Sequence, residues 1–214
     1  MSFNYLTFGF GLGIQLISID DSVLNRLISE TYCAFPFCRR CASWIHCLWN
    51  LARIADVDEV RDRLLRLGAQ YVGKFHQTDT YFKVLEGRLK IRENEGQDHV
   101  DIVYYDRPDI PEIKKSHVLL VRAQPPETAE KLLAQLFQIK VVVSKIREIY
   151  TLEGTRVHLD FLTELGTFIE FERPTKNEAS EIRKSKSILT NLCKKLCIEK
   201  EQVEALSYSD LLIK

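Results

Sequence analysis

Residues 156–172, reading RVHLDFLTELGTFIEFE, constrain this chain more than any other stretch. They form two extended segments joined by a tight turn, and each segment has two unlike faces. In the first, Arg156, His158 and Asp160 share one side, and Val157, Leu159 and Phe161 the other. In the second, Glu170 and Glu172 oppose Ile169 and Phe171. A strand repeats every two residues, so each charged set points one way and each apolar set the opposite way. Such a hairpin belongs to a sheet with one apolar and one polar face, an ordinary antiparallel arrangement.

The same pattern recurs along the chain. Lys90 and Arg92 alternate with Leu89 and Ile91, and Lys145 and Arg147 share one side of a long segment over 140–152. Extended segments are also expected at 51–54, 71–84, 100–105 and 116–122, with turns at Glu86-Gly87, Asn94-Glu95-Gly96 and Glu153-Gly154. Helices are expected over 56–67, where Val57, Val60, Leu64 and Leu67 follow helical spacing, and over 127–138, with Ala129, Leu132, Leu133 and Leu136 as the buried stripe. A long charged helix over 176–198 and a short closing one within 201–212 complete the chain. The pattern predicts an antiparallel α+β chain of about seven or eight strands with flanking helices, either an open sheet with one wet face or a closed barrel whose charged face becomes a lumen.

Thirty basic and thirty acidic residues cancel, so no global field draws the chain to nucleic acid or an anionic membrane, and any anion site must be local. Basic residues alternate with carboxylates and no stacking platform is evident, which argues further against nucleic acid. The cysteines cluster at Cys33, Cys38, Cys41 and Cys47 and at Cys193 and Cys197, with none between, which fits a reduced cytoplasmic protein better than a disulfide scaffold. Residues 1–46 lack a clean period. They read as an atypical, poorly ordered N-terminal extension to a domain over 47–214, without the two well-spaced ligand pairs of a structural zinc site and without a membrane span.

If the sheet closes, Lys90, Arg92, Lys145, Arg147 and Arg156 converge on one lumen with Asp160, Glu170 and Glu172. That many buried cations need anions. A polyphosphate supplies several charged oxygens, and the carboxylates would hold Mg²⁺ or Mn²⁺. The bland alternative is a solvated sheet face with ordinary cross-strand ion pairs.

The chain resembles the CYTH family of triphosphate tunnel metalloenzymes, which includes class IV adenylyl cyclases and thiamine triphosphatases. The resemblance rests on Asp79-Thr-Tyr-Phe82, Gly87-Arg-Leu-Lys-Ile-Arg-Glu93, Tyr104-Tyr-Asp-Arg-Pro-Asp109, Lys145-Ile-Arg147 with Tyr150, Arg156-Val-His-Leu-Asp160, Leu165-Gly166, Phe168-Ile-Glu-Phe-Glu172 and Ser207-Tyr-Ser-Asp-Leu-Leu212, in order from about residue 50 onward. It implies an α+β fold with a closed or nearly closed antiparallel β-barrel (tunnel) of about eight strands and flanking helices. Lys90, Arg92, Lys145, Arg147 and Arg156 would bind triphosphate, and Glu170 and Glu172 would bind metal. Asp160 would be a metal ligand or would orient the attacking water as the catalytic residue. The family opens with a strand reading E-x-E-x-K, and here those positions fall on Cys47, Trp49 and Leu51.

The expected function is therefore binding of an organic or inorganic triphosphate with a divalent metal, related to triphosphate phosphohydrolases and class IV adenylyl cyclases, with turnover impaired in this form. The alternatives are a non-catalytic triphosphate-binding module and an interaction protein.

Overall fold

The computed structural model describes residues 45–214. Expectations placed on residues 1–44, including the poorly ordered extension and its cysteines, lie outside the described residues. Eight strands form one closed antiparallel barrel in the order β1-β5-β4-β3-β2-β6-β7-β8, with β8 returning to β1. They are β1 (Ile45–Arg53), β2 (Gln70–Phe82), β3 (Arg88–Asn94), β4 (Val100–Asp106), β5 (Lys114–Ala123), β6 (Ile139–Leu152), β7 (Thr155–Leu162) and β8 (Gly166–Pro174). The helices are α1 (Val57–Arg66), α2 (Pro126–Leu136), α3 (Ala179–Lys195) and the single turn α4 (Tyr208–Leu211). Closure removes the two sheet edges and divides side chains into a lumen set and an outer set.

The outer face of β1, β6, β7 and β8 carries the larger apolar core. Leu48, Ala52, Tyr150, Val157, Leu159, Ile169 and Phe171 pack against Val60 and Leu64 of α1 and Leu189 and Leu192 of α3. Helix α1 starts where the Asp56 carboxylate accepts the Glu59 amide at 2.9 Å, and it stops at Gly68, whose φ of +85° suits a residue without a side chain. Truncating Leu64 or Leu189 to Ala would cost about 2–5 kcal/mol, since both are fully buried.

A second outer core lies under α2, where Ala129 and Leu133 meet Phe82, Ile91 and Val100. The expected four-residue stripe of α2 is corrected here, because Leu132 and Leu136 are exposed. Ala129 and Leu133, one turn apart, are the pair that faces the sheet.

Strand β1 is also longer than the 51–54 segment expected from the sequence. It pairs with β5 from Ile45 and with β8 through Arg53, and Cys47 to Ala52 are buried on both faces. A strand buried on both faces shows no alternation, so periodicity could not reveal it. Ile45 and His46, expected in the extension, are the first residues of this strand.

Past α3 the chain crosses the end of the barrel. Val203 bridges to Ala52, the Glu204 amide donates to the Leu51 carbonyl at 2.8 Å, and Tyr208 of α4 packs edge-on against Phe168.

Candidate functional site inside the barrel

Alternation in the paired strands sends Asp79 and Tyr81 of β2, Lys90 and Arg92 of β3, Lys145 and Arg147 of β6, His158 and Asp160 of β7, and Glu170 of β8 into the lumen. The first cluster centres on Asp79. Its carboxylate accepts from Lys145 Nζ at 2.5 Å, from Lys90 Nζ at 2.8 Å, and from Arg92 through Nε at 2.8 Å and Nη2 at 3.1 Å. Burial alone would raise the Asp79 carboxyl, but the charges of Arg92, Lys145 and Lys90 outweigh it and hold it well below the usual carboxylate range. Burial pulls the ammonium of Lys90 down to about 7, with Arg92 adding to the effect, and that of Lys145 down to about 8 against the pull of Asp79. Three cationic side chains share one carboxylate, so positive charge remains in excess.

The second cluster centres on Arg147. Its guanidinium grips Asp160 with Nε at 2.7 Å and Nη2 at 2.5 Å, and Nη2 also reaches Glu170 at 3.1 Å. Tyr208 donates to Asp160 Oδ2 at 2.8 Å, so a residue from the C-terminal turn completes the shell. His158 Nδ1 lies 3.0 Å from Glu170 Oε1. Burial would raise the Glu170 carboxyl, yet Arg147 and the His158 contact hold it well below its ordinary value.

The third region is the wall made by β1, β5 and β8. Cys47, Trp49 and Leu51 are buried, and in register Trp49 lies opposite Glu172 and Leu51 opposite Glu170. Burial, with Glu172 adding to it, pushes the Cys47 thiol up to about 12, so it stays protonated and is a poor nucleophile and a poor metal ligand at neutral pH. The Arg107 guanidinium stacks over Trp49 at 3.3 Å from the ring centroid and stands 4.9 Å from that of Tyr105. Lys114, on the strand beside Trp49, donates to the Ala205 carbonyl at 2.7 Å.

The barrel thus brings together Lys90, Arg92, Lys145, Arg147, Asp160 and Glu170, while Glu172 is half-buried beside them and Arg156 is exposed near the start of β7. Asp79, His158, Tyr208 and Arg107 belong to the same constellation, although the sequence assigned them no role. His158 could have been found, since it shares one face of its strand with Arg156 and Asp160. Asp79 is a lone acid in a long mixed strand, and Tyr208 belongs to the expected closing helix, whose named packing residues did not include it.

The model of the CYTH domain matches residues 52–208, about three quarters of the chain. This chain belongs to the CYTH family. A protein of Methanocaldococcus jannaschii provisionally named an adenylate cyclase is 28% identical over 168 residues, covering 74% of this chain and 94% of the relative. The solved structure of a Pyrococcus horikoshii protein is similar with a TM-score of 0.68 at 25% identity, covering 79% of this chain and 99% of that one. A Hippeastrum protein, described as an adenylyl cyclase by provisional name with a dominant triphosphatase activity, shares the fold with a TM-score of 0.53 at 16% identity, over 80% of this chain and 94% of its own.

A CYTH barrel invites the question of whether these residues fit a divalent metal. His158, Glu170 and Glu172 each offer a ligand atom, all within 4.8 Å of one another, and two carboxylates with an imidazole suit one divalent ion. Asp160 stands outside this trio, its two oxygens taken by Arg147 and Tyr208. Among the described residues, no helix is long and apolar enough to cross a membrane.

Proposed function

We propose that this CYTH protein binds a triphosphate-bearing small molecule in its barrel, with Mg²⁺ or Mn²⁺ as partner ion, and turns it over slowly or not at all. The observation that carries this reading is the convergence of Lys90, Arg92 and Lys145 on the single carboxylate of Asp79 in one buried lumen, with Arg147 beside them. A buried excess of cationic side chains is costly unless an anion arrives, and a triphosphate brings several oxygens spaced for Arg and Lys. The name of the Methanocaldococcus relative and the triphosphatase activity ascribed to the Hippeastrum protein support the same substrate class.

In this reading, Lys90, Arg92 and Lys145 exchange part of their contact with Asp79 for phosphate oxygens, and Asp79 keeps their heads gathered beforehand. Arg156 meets the ligand at the barrel's end. Arg147 holds Asp160 rigidly, so that Asp160 is placed to orient a water rather than to ligate metal. Glu170 and Glu172, with His158, would hold the divalent ion. When bound, such an ion polarises phosphoryl oxygens and offsets charge that develops at phosphorus.

Slow turnover follows from the β1 wall. If Cys47, Trp49 and Leu51 stand where the family carries E-x-E-x-K, two carboxylates and a lysine are replaced by a protonated thiol, an indole and an isobutyl group. A second reading, a triphosphate-binding module without catalysis, is favoured by that same wall. The test is incubation with tripolyphosphate, thiamine triphosphate and ATP, each with Mg²⁺ or Mn²⁺, measuring phosphate, cyclic AMP and thermal stabilisation. We expect clear stabilisation with little product. Brisk metal-dependent turnover would overturn the impairment, and no stabilisation at millimolar ligand would overturn the triphosphate site itself. Cyclic AMP from ATP, set against free phosphate, separates the cyclase from the hydrolase outcome.

A further inference from the structure

The start of β1 carries a second group of ligand-type side chains, on the outside of the barrel and away from the lumen. Strand β5 lies between β1 and β4, and in register His46 is opposite His117 and His117 is opposite Asp106. Residues directly opposite in paired strands share a face. Cys47 and Trp49 take the lumen face of β1, so His46, His117 and Asp106 form one row across three strands on the outer face. Two imidazoles followed by a carboxylate make a donor set suited to a divalent transition metal such as Zn²⁺ rather than to Mg²⁺.

The two rings already stand close together. Their centroids are 4.6 Å apart with the planes at 77°. An ion that holds each imidazole nitrogen at about 2.0–2.1 Å in tetrahedral geometry sets the ring centres on the order of 5 Å apart, so little movement is needed. His46 Nδ1 is buried without a hydrogen-bond partner among the described residues, a cost that coordination at that nitrogen would remove. Burial, and after it repulsion from His117 and Lys115, holds the His46 pKa below its ordinary value, so the ring keeps the neutral form that a metal requires. Lys115, on the same outer face, donates to Asn177 Oδ1. The Asp106 side chain is exposed and bonded to none of the described residues, and it has to swing toward the pair to reach an ion held by both rings. Ring packing alone accounts for an edge-to-face contact, but it does not call for a carboxylate next in line or an unpartnered nitrogen.

We propose that His46 and His117, with Asp106 as a third and weaker ligand, form an external transition-metal site that clips β1 to β5. The site is independent of the triphosphate reading and of the His158, Glu170 and Glu172 trio in the lumen. Strand β1 closes the barrel between β5 and β8, so an ion bound here ties the closing strand to its neighbour and stabilises the folded chain by mass action.

The experiment is a Zn²⁺ titration of the full chain, its accessible thiols first blocked with N-ethylmaleimide, followed by calorimetry, melting curves and NMR of the imidazole nitrogens. The chain has five histidines, few enough to assign by substitution. Zn²⁺ should move the ring signals of His46 and His117 together and raise Tm. His46→Phe and His117→Phe keep a ring in the cross-strand contact and should each weaken this binding about tenfold or more, no less than removing a group that merely orients a ligand. Asp106→Asn should weaken it less. Glu172→Gln, which removes a ligand of the lumen trio, should leave the movement of both rings unchanged. Melting curves without metal identify any variant that fails to fold, and the wild-type ring signals then decide. Zn²⁺ that moves only His158, or binding that is unchanged in both Phe variants, overturns the proposal. So does the absence of movement at His46 and His117 up to millimolar Zn²⁺. Each of these results leaves the triphosphate site standing.

Discussion

The wall of the barrel made by β2, β3 and β6 and the wall made by β1, β5 and β8 solve the burial of charge in opposite ways. On the first, Asp79 is the hub of a salt-bridge network in which every cation has a carboxylate oxygen within 3.1 Å. On the second, Arg107 and Lys114 lean on an indole and on backbone carbonyls, and the residues facing them from β1 are Cys47, Trp49 and Leu51. Arg147 and its partners Asp160 and Glu170 join the two. The difference teaches where a ligand would have to compete: on the first wall an incoming anion displaces a carboxylate, and on the second Arg107 and Lys114 have no hydrogen-bonded carboxylate to displace.

The largest effect should come from cutting the join. Arg147→Met leaves Asp160 and Glu170 buried without their cation, a loss of about 3–5 kcal/mol by analogy with broken buried pairs, read as a lower urea midpoint with unchanged slope. A cost below about 1 kcal/mol would mean that the two walls are independent. Next, Asp79→Asn should destabilise the ligand-free protein by about 1.5–3 kcal/mol, the worth of hydrogen bonds to a charged group, and enlarge the thermal shift given by tripolyphosphate. An equal shift in variant and wild type would show that no cation of this wall meets the ligand. On the other wall, Cys47→Glu together with Trp49→Glu should raise Mn²⁺ affinity by on the order of tenfold, about 1.4 kcal/mol, because two carboxylates are added beside Glu170 and Glu172. Unchanged Mn²⁺ affinity would separate this wall from the metal trio.

The smallest effect is a pH dependence from buried lysines, Lys90 and Lys145 on the first wall and Lys114, pulled down by burial to about 8, on the second. Lys90 and Lys145 titrate near 7 and near 8 in the folded barrel, below the 10.5 of an unburied lysine. Between those values the unfolded chain holds more protons than the folded one, so stability rises with pH from about 7 toward 10. Urea midpoints measured across that range should climb in the wild type and climb less in Lys90→Met. A midpoint that falls with pH would contradict the burial of these lysines, and an anion should stabilise most below about pH 7, where both are charged.

Legibility in the sequence followed from how each strand is solvated. Strands β3, β7 and β8 carry charges on one side and aliphatic residues on the other, so their sidedness could be read directly, while closure into a barrel came from the family resemblance, because an open sheet shows the same alternation. Strand β1 is buried on both faces and shows no alternation, which is why only its last residues were expected to be extended. Helix α2 misled in the opposite way, since four apolar residues at helical spacing suggested a full buried stripe while Leu132 and Leu136 face solvent. Asp79 opened one of the family-like motifs yet was given no role, because one acid in a thirteen-residue strand looks like any other surface charge.

By itself the sequence determined which side of each strand carries charge, because a two-residue repeat leaves no other choice. Only the closed barrel decided which charges meet. Lys145 and Asp79 are 66 residues apart and touch because β2 pairs with β6, and Arg107 lies on Trp49 because β5 brings β1 alongside β4. Partnership of this kind depends on register between distant strands, which the collective packing of the barrel sets and no local pattern encodes.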